Sequence, residues 1–383
     1  PTYEGNKWQI KQAAEAIMKA KKPVLYVGGG VIFSSASQEL LELAEMTQIP
    51  VDMTLMGLGA FPGEHPLSLG MLGMHGTYQA NMAMHYSDLV IAIGARFDDR
   101  VTGKVSEFCP HAKVIHVDID PTSIRKNINV DIPIVGDCKT VLREFNQILR
   151  ATVNGEQKEL RKPWWDQIQE WQQAHPLTYH QEKDGPIKPQ QVVKRLYELT
   201  RDRDPIVSTD VGQHQMWAAQ YFKLAKTNRW LTSGGLWTMG FGFPAAMGSQ
   251  AAFRDRLVLC IAGDGSIKMN MQEMATAVVS KLPVKIIILN NGFHGMVRQW
   301  QDLFYEGRYA SSNLGTTPDF VKLADAYGAV GLRVKKVGDL DAVLKEALPT
   351  DKPVIVDVPT YPYENCYPMI PAGGCNHEML LED

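Results

Sequence analysis

The stretch that decides the fold reads Leu257-Val-Leu-Cys-Ile-Ala-Gly-Asp-Gly-Ser266, and it is followed along the chain by Val284-Lys-Ile-Ile-Ile-Leu-Asn-Asn291. Both are apolar runs that end in polar residues, and the spacing from Met269 to Ala277 between them is helical. Two strands joined by a helix form a parallel pair, whose carboxyl ends lie at one edge of the sheet, where ligands bind. We therefore expect Asp264 and Asn291 to face the same crevice from neighbouring strand ends.

The residues at these two strand ends suit a phosphate and a metal ion. Gly263 and Gly265 permit close approach of the backbone to a phosphate, and a helix after Ser266 would direct its N-terminus at it. A carboxylate, a carboxamide and a nearby backbone carbonyl are hard oxygen donors that suit Mg²⁺ shared with a diphosphate. The alternative interpretation is that Gly-Asp-Gly is an ordinary turn and that Asn290-Asn291 is an ordinary strand exit. The 24 residues between Gly265 and Asn290, enough for one helix and one strand, favour a metal diphosphate.

The same alternation of strands and helices continues along the chain and predicts an α/β fold with two open parallel-sheet, Rossmann-like domains. In the first half, helices are predicted at 9–20, 40–46, 78–86 and 139–149, and strands at 24–27, 89–93, 114–119 and 132–135. In the second half, a helix is predicted at 189–199 and strands at 206–208, 257–261, 284–289 and 354–358. The predicted boundaries are 1–150 for the first domain, 151–188 for a polar linker packed on a domain surface, 189–365 for the second domain and 366–383 for a C-terminal tail.

Composition argues against several classes of protein. The 383 residues are 45% hydrophobic and 21% charged, as in globular proteins, and a net charge of -3 gives no reason to expect nucleic acid or an anionic membrane as partner. Five cysteines without a C-x-x-C pair favour a reducing compartment, the cytoplasm, or a plastid or mitochondrion in a eukaryote. A start at Pro1 that enters a helical pattern at once predicts a cut or a processing site.

The spacing Gly-Asp-Gly, 24 residues, Asn-Asn resembles the thiamin-diphosphate motif of the family that contains pyruvate decarboxylases, pyruvate oxidases and acetohydroxyacid synthases. Two longer segments, Ser233-Gly-Gly-Leu-Trp-Thr-Met-Gly-Phe-Gly-Phe-Pro-Ala-Ala246 and Gly295-Met-Val-Arg-Gln-Trp-Gln301, are most similar to acetohydroxyacid synthases. The resemblance extends from Pro23 to about Pro359. It implies decarboxylation of pyruvate and transfer of the hydroxyethyl group to pyruvate or 2-ketobutyrate.

The resemblance also implies roles for residues of the second domain. Asp264, Asn291 and the carbonyl of Phe293 would hold Mg²⁺, and Met239 would be the apolar wedge that bends thiamin diphosphate into its reactive shape. The alternative for Met239 is core filling, because methionine often fills gaps in a core. The residues implied along thiamin diphosphate are Gln213, His214, Gly263, Ser266, His294, Gly295 and Met296.

Two residues match those that receive the second ketoacid in the family. Arg100 would bind its carboxylate through a two-pronged hydrogen bond, with Asp99 holding the guanidinium, and Trp300 would pack the extra methylene of 2-ketobutyrate. The alternatives are a surface ion pair of Arg100 with Asp98 or Asp99, and a core-facing helix position for Trp300.

The first domain resembles the flavin-binding middle domain of these synthases, in which FAD has a structural role. Asp118 would suit a ribose hydroxyl and Arg96 a diphosphate. The residues implied at the flavin are Gly28, Gly29, Gly30, Thr54, Leu55, Met74, His75, Gly94, Arg96, Asp118, Ile119, Gly136 and Asp137.

Some features depart from the family pattern. The family's N-terminal domain, which supplies a glutamate to the aminopyrimidine ring, has no counterpart in the sequence. Trp237 stands where glycine is usual, and Gly292 stands where a larger residue is common. A flavin-dependent pyruvate oxidase and an inactive cofactor-binding scaffold remain alternatives. A homodimer or homotetramer and a small regulatory subunit are the partners that the family implies.

Overall fold

The computed structural model describes residues 3–153, 155–316 and 318–382. They form two compact units, each with a parallel sheet and helices, so the predicted α/β fold class is confirmed. The first unit contains the described residues up to Thr178, Leu224–Thr227 and those from Tyr367 onward. The second contains Tyr179–Lys223 and the described residues of Asn228–Cys366.

The described residues of the first unit form a six-stranded sheet of order β3-β2-β1-β4-β5-β6, in which neighbouring strands pair in parallel. Its strands are β1 Pro23–Val27, β2 Val51–Met53, β3 Ser68–Met71, β4 Leu89–Ile93, β5 Lys113–Asp118 and β6 Ile132–Val135. Its helices are α1 Lys7–Lys19, α2 Gly29–Phe33, α3 Ser37–Thr47, α4 Tyr78–Tyr86, α5 Asp99–Thr102, α6 Cys138–Arg150 and α7 Glu156–Ala174, with short 3-10 helices at Leu55–Gly57 and Val105–Glu107.

The second unit contains a six-stranded sheet of order β11-β12-β10-β9-β7-β8, again with parallel neighbours. Its strands are β7 Ile206–Thr209, β8 Trp230–Leu231, β9 Val258–Gly263, β10 Lys285–Asn290, β11 Val330–Arg333 and β12 Val354–Pro359. Its helices are α8 Pro189–Thr200, α9 Gln213–Tyr221, α10 Gly242–Ala252, α11 Asp264–Ile267, α12 Met274–Val279, α13 Gly295–Phe304, α14 Phe320–Tyr327 and α15 Leu340–Ala347, with 3-10 helices at Arg201–Arg203, Met271–Glu273 and Val337–Asp339.

The predicted linker, 151–188, contains helix α7. Trp164 of this helix is buried in the core of the first unit, and its indole N–H donates to the carbonyl of Pro23 at 3.2 Å. The fully buried Arg161 donates to the backbone carbonyls of Ile17 and Thr47 near the ends of α1 and α3. The boundary between the units falls after Thr178, inside the predicted linker.

The predicted helix from Met269 to Ala277 begins two residues later than expected. A 3-10 turn covers Met271–Glu273 and α12 begins at Met274, while a separate short helix, α11, begins at Asp264. Asn270 interrupts the helical pattern, because its side chain donates to the carbonyl of Gly240 at 2.6 Å rather than facing solvent. The phosphate-directed helix start that the sequence predicted after Ser266 therefore lies at Asp264.

Within the described residues, the helices are too short or too polar for any of them to cross a bilayer.

Candidate functional site

Asp264 and Asn291 follow two strands that are direct neighbours. Strands β9 and β10 pair in parallel, with Gly263 opposite Leu289, so both chains leave the sheet at the same edge. The predicted placement at neighbouring strand ends is therefore confirmed. β7 pairs with β9 on the other side, while β8 lies beyond β7, so the strand order reverses between β7 and β9. Ligands of open α/β sheets bind at such a reversal point.

The Asp264 carboxyl group is buried beside this edge. Only 1% of the residue is exposed, and its Oδ2 atom has no hydrogen-bond partner among the residues that the structure describes. Burial raises its pKa to about 6, although hydrogen bonds from the backbone of Gly292 and Gly265 oppose the rise. A carboxylate that is buried with an unsatisfied oxygen is stabilised by a cation, which makes Asp264 a metal-ligand candidate.

The loop after β10 presents Asn291 and Phe293. The N–H of Phe293 donates to Asn291 Oδ1 at 3.1 Å, and the carbonyl of Gly292 accepts from Leu314 at 2.9 Å. Gly292 has a φ of +72°, a conformation that glycine adopts without strain. A Cβ atom at this position would meet no atom within 4 Å, so the backbone conformation, and not contact with a Cβ atom, explains the glycine.

His214 and the glycines beside it pack closely. A Cβ atom at Gly263 would lie 2.8 Å from His214 Nδ1, and one at Gly212 would lie 2.8 Å from His214 Cε1. Burial lowers the pKa of His214 to about 4, although Asp210 opposes the shift, so the ring is neutral near pH 7. The Ser266 hydroxyl accepts from the N–H of Gly263 at 3.1 Å and so caps α11.

The start of α13 lies against the same residues. His294 precedes this helix, and its Nδ1 would be 3.0 Å from a Cβ atom at Gly265. At Gly295 a Cβ atom would lie 2.1 Å from Gln213 Oε1, so only glycine allows this approach. The second unit thus brings together Gln213, His214, Gly263, Asp264, Ser266, Asn291, Phe293, His294 and Gly295. Met296 is the second residue of α13 and is half-buried.

Sequence reasoning missed Asp210, which follows β7. This fully buried carboxylate accepts hydrogen bonds from the N–H groups of Val211, Gly240 and Gly242, at 2.8, 2.8 and 3.0 Å. Gly240 directly follows Met239, so Asp210 holds the turn that carries the predicted wedge. The sequence does contain a signal for Asp210, because it is a polar residue directly after the strand Ile206–Thr209, as Asp264 and Asn291 are after their strands.

Trp237 and Trp300 lie in different local settings. Trp237 has a φ of +54°, the left-handed region in which glycine is favoured, which gives a backbone reason for the usual glycine at this position. Trp300 lies on α13, half-buried, and its ring packs edge-on against Phe304 with centroids 5.5 Å apart.

The residues of the second unit fit a magnesium diphosphate. Asp264 offers an unsatisfied oxygen and Asn291 offers an amide oxygen, at the ends of neighbouring strands. Among the described residues, no group of three or more His, Cys, Asp or Glu side chains could hold a metal ion alone. This set of donors suits a hard cation that takes further ligands from a diphosphate.

In the first unit, glycines surround the point where the order of strands reverses. The strand order places β1 beside β4, the reversal point at which dinucleotides bind. A Cβ atom at Gly28 would lie 2.1 Å from the carbonyl oxygen of Gly94, and one at Gly30 would lie 2.6 Å from Gly94 Cα. Gly94 itself has a φ of +59°. These glycines therefore allow close approach of two strand exits, and Gly29 begins α2 beside them.

Other predicted flavin residues also follow strand ends of this sheet. Thr54 and Leu55 follow β2, Arg96 lies shortly after β4, Asp118 ends β5 with Ile119 next to it, and Gly136 and Asp137 follow β6. Met74 and His75 lie in the loop after β3.

Several of these residues already have partners within the chain. Asp118 Oδ1 accepts from the N–H of Asp120 at 2.9 Å, and Asp137 caps α6 by accepting from Thr140 at 3.1 Å. The exposed Arg96 pairs with Asp98 at 2.9 Å. The strand order, the glycines and an exposed guanidinium at strand ends fit a dinucleotide such as FAD.

Arg100 is exposed at the start of α5. Its guanidinium lies 3.5 Å from the carboxylate of Asp99, as one alternative for this residue predicted, and its N–H donates to Asp99 Oδ1 at 3.0 Å. An ion pair with this degree of exposure contributes little to stability.

Two protein families match the chain, one in each half. The family described as thiamine pyrophosphate enzyme, central domain, matches residues 10–145. The family described as thiamine pyrophosphate enzyme, C-terminal TPP binding domain, matches residues 210–358.

The chain is also similar along its whole length to characterised proteins. It is 48% identical to acetolactate synthase isozyme 3 large subunit of Escherichia coli (strain K12), a match that covers 100% of this chain and 67% of the relative. It is 49% identical to the acetolactate synthase large subunit of Haemophilus influenzae, with 100% and 66% covered, and 45% identical to that of Cyanidium caldarium, with 99% and 64% covered. The chain thus spans about two thirds of the length of these relatives. It belongs to the family of thiamine pyrophosphate enzymes that includes the acetolactate synthase large subunits.

Proposed function

We propose that this chain carries the FAD-binding and thiamin-diphosphate-binding parts of an acetohydroxyacid synthase. The enzyme decarboxylates pyruvate and transfers the hydroxyethyl group to pyruvate or 2-ketobutyrate, as in branched-chain amino-acid biosynthesis. The observation that carries this proposal is the buried, unsatisfied Asp264 carboxyl beside Asn291 at the reversal point of the second sheet. The similarity to acetolactate synthase large subunits supports the proposed reaction.

The metal role rests on oxygen donors at two strand ends. Asp264, Asn291 and the carbonyl of Phe293 would hold Mg²⁺, which neutralises the diphosphate of thiamin diphosphate. When bound, thiamin diphosphate supplies the electron sink for decarboxylation. The chain's own residues orient it: Gly263 and Gly265 allow backbone approach, and Met239 gives an apolar support on a turn that Asp210 holds.

The second ketoacid needs a cation and an apolar surface. Arg100 offers an exposed guanidinium for the carboxylate, and the half-buried indole of Trp300 offers a surface for the ethyl group. Burying one methylene stabilises by about 0.8 kcal/mol, which is enough for a several-fold preference for 2-ketobutyrate.

FAD would bind at the strand ends of the first unit, where it has a structural role. A homodimer or homotetramer, a small regulatory subunit and a pyrimidine-binding domain that completes the site are the partners of this proposal. The five cysteines are free and buried, which is consistent with a reducing compartment such as the cytoplasm.

An anaerobic reaction with pyruvate tests the proposed reaction. The chain is reconstituted with the pyrimidine-binding domain that completes the proposed site and is supplied with thiamin diphosphate, Mg²⁺ and FAD. Acetolactate is then quantified, and the flavin absorbance is recorded. Acetolactate formation with the flavin still oxidised is the expected result. Bleaching of the flavin by pyruvate would indicate a pyruvate oxidase, and binding of both cofactors without any product would indicate a scaffold.

A further inference from the structure

Three side-chain carboxamides connect the backbone of Cys366 to Asn291, the residue that the proposed function, on which this inference rests, places at Mg²⁺. The first is Gln299 of α13, which is fully buried. Its Oε1 accepts from the N–H of Cys366 at 2.8 Å, and its Nε2 donates to the carbonyl of Cys366 at 3.1 Å. A backbone N–H can only donate and a carbonyl can only accept, so these two bonds fix the orientation of the amide.

Gln299 in turn determines the orientation of Gln213. Because Gln299 presents its oxygen, Gln213 must present its nitrogen, and Gln213 Nε2 donates to Gln299 Oε1 at 2.8 Å. The same nitrogen donates to the carbonyl of Glu364 at 2.9 Å, a second acceptor that allows no other orientation. The oxygen of Gln213, which is only 2% exposed, is therefore directed away from Gln299.

The third carboxamide is that of Asn291. Its Nδ2 donates to Gln213 Oε1 at 3.3 Å, and its Oδ1 accepts from the N–H of Phe293 at 3.1 Å. Gly295 makes this contact possible, because a Cβ atom there would lie 2.7 Å from Asn291 Nδ2. Both contacts select the same orientation of the amide. An oxygen of a carboxamide has two lone pairs, so Asn291 Oδ1 retains one for a cation.

We propose that Gln213 and Gln299 are positioning residues that transmit the polarity of the Cys366 backbone to Asn291 and keep its amide oxygen, not its nitrogen, available to Mg²⁺. A hard cation binds the oxygen of a carboxamide and is repelled by its N–H₂ group. Gln213 thus acts on the metal through Asn291, since both ends of its own carboxamide are engaged by protein atoms.

Several side chains hold the backbone segment 364–366, where this series of amide hydrogen bonds begins. The buried Arg298 donates to the carbonyl of Glu364 at 3.0 Å, and Gln190 donates to the Glu364 carboxylate at 2.7 Å. Lys188 pairs with the same carboxylate. The N–H and carbonyl groups of segment 364–366 therefore have fixed positions and determine the orientation of the amides.

The test compares Mg²⁺ affinity with stability in the full chain. Mg²⁺ is titrated calorimetrically in the presence of a constant excess of thiamin diphosphate, and thermal unfolding is followed without cofactor or metal. Gln213→Met and Gln299→Met remove the amides with little change in volume. Gln250→Met is the matched control, because Gln250 is equally buried in the same unit and donates only to the backbone carbonyls of Phe253, Arg254 and Arg256.

We expect Gln213→Met and Gln299→Met each to weaken Mg²⁺ binding about 10- to 100-fold, as for residues that orient a metal ligand, while Gln250→Met lowers stability only. In an Asn291→Asp background, a carboxylate presents oxygen in either orientation, so Gln299→Met should no longer weaken Mg²⁺ binding. Unchanged Mg²⁺ affinity in Gln299→Met, or a penalty that persists in the Asn291→Asp background, would overturn the inference while the proposed function stands. A wild-type chain without Mg²⁺-dependent binding would overturn both.

Discussion

The carboxylate of Asp210 accepts a 2.8 Å hydrogen bond from the N–H of Gly240, the residue that follows Met239. It holds Gly242 at 3.0 Å with its other oxygen, so one buried side chain determines the turn before α10. The predicted wedge is therefore positioned from a strand end 30 residues earlier in the sequence.

Asp210→Asn should destabilise the second unit. An amide presents one oxygen and one N–H₂ group, so at least one backbone N–H would face a donor and lose its partner. We expect a loss of about 1–3 kcal/mol in the free energy of unfolding, the cost of an unsatisfied buried donor, measured by urea denaturation. The exposed Asp325 is the control, and Asp325→Asn should have no such effect. Equal stability of wild type and Asp210→Asn would mean that the carboxylate does not hold this turn.

The buried Asp52 on β2 predicts that the stability of the wild-type chain falls as the pH rises. Asp52 is fully buried, neither carboxylate oxygen has a hydrogen-bond partner among the described residues, and burial raises its pKa well above the usual value. The folded state therefore binds a proton that the unfolded state releases, so wild-type stability falls as the pH rises above about 4, the unfolded pKa.

Asp52→Asn removes this titration. Relative to wild type, the variant should gain up to about 1.4 kcal/mol for each pH unit above about 4, until the raised pKa of the folded state is reached. Urea unfolding at several pH values measures the difference, with the exposed Asp255→Asn as control. A difference that does not change with pH would show that Asp52 is not protonated in the folded chain.

At position 237 we expect glycine to give a more stable chain than alanine, the reverse of the usual order. The φ of +54° at Trp237 costs about 1–2 kcal/mol for a residue with a Cβ atom. Both Trp237→Gly and Trp237→Ala lose the indole, so their difference isolates the backbone. We expect Trp237→Gly to be the more stable by about 1 kcal/mol in urea unfolding, whereas glycine is usually the less stable. A more stable Trp237→Ala would show that the turn relaxes.

We expect substitutions of Trp300 and Arg100 to affect the choice of the second ketoacid in different ways. Trp300→Leu should lower the preference for 2-ketobutyrate over pyruvate by about 1–2 kcal/mol, the value of one methylene in an apolar site, while decarboxylation of pyruvate stays nearly intact. Arg100→Ala should weaken both acceptors together, because both carry a carboxylate. Product ratios with the two ketoacids in competition, measured in the enzyme reconstituted with the pyrimidine-binding domain, report the effect. An unchanged ratio for Trp300→Leu at normal activity would assign Trp300 to the core.

The sequence was sufficient for the fold class and for the strand ends that carry the site. Asp264 and Asn291 could be placed because parallel strands of strong apolar character end in polar residues, and the interval between them admits one crossover. Strands Val51–Met53 and Trp230–Leu231 were missed because two or three residues give no periodic signal. The helix predicted from Met269 begins only after Asn270, whose tertiary hydrogen bond no local pattern reveals.

The relations between side chains were beyond sequence reasoning. Gln213 and Gln299 are 86 residues apart, and their contact depends on the orientation of two amides inside the fold. The resemblance identified Gln213 as a cofactor residue but gave no sign that its carboxamide faces Asn291. Asp210 itself could have been found as the polar residue after β7, but its contacts with Gly240 and Gly242, about 30 residues away, could not.

Calorimetric titration of thiamin diphosphate into the chain, with Mg²⁺ and with EDTA, tests whether the diphosphate is held through a metal ion at Asp264. We expect binding with Mg²⁺, none in EDTA, and none for Asp264→Ala under either condition. With a pKa of about 6 for the metal-free Asp264 carboxyl, binding should weaken about tenfold for each pH unit below that value, since Mg²⁺ requires the carboxylate. Equal affinity with and without Mg²⁺ would contradict the assignment of this site.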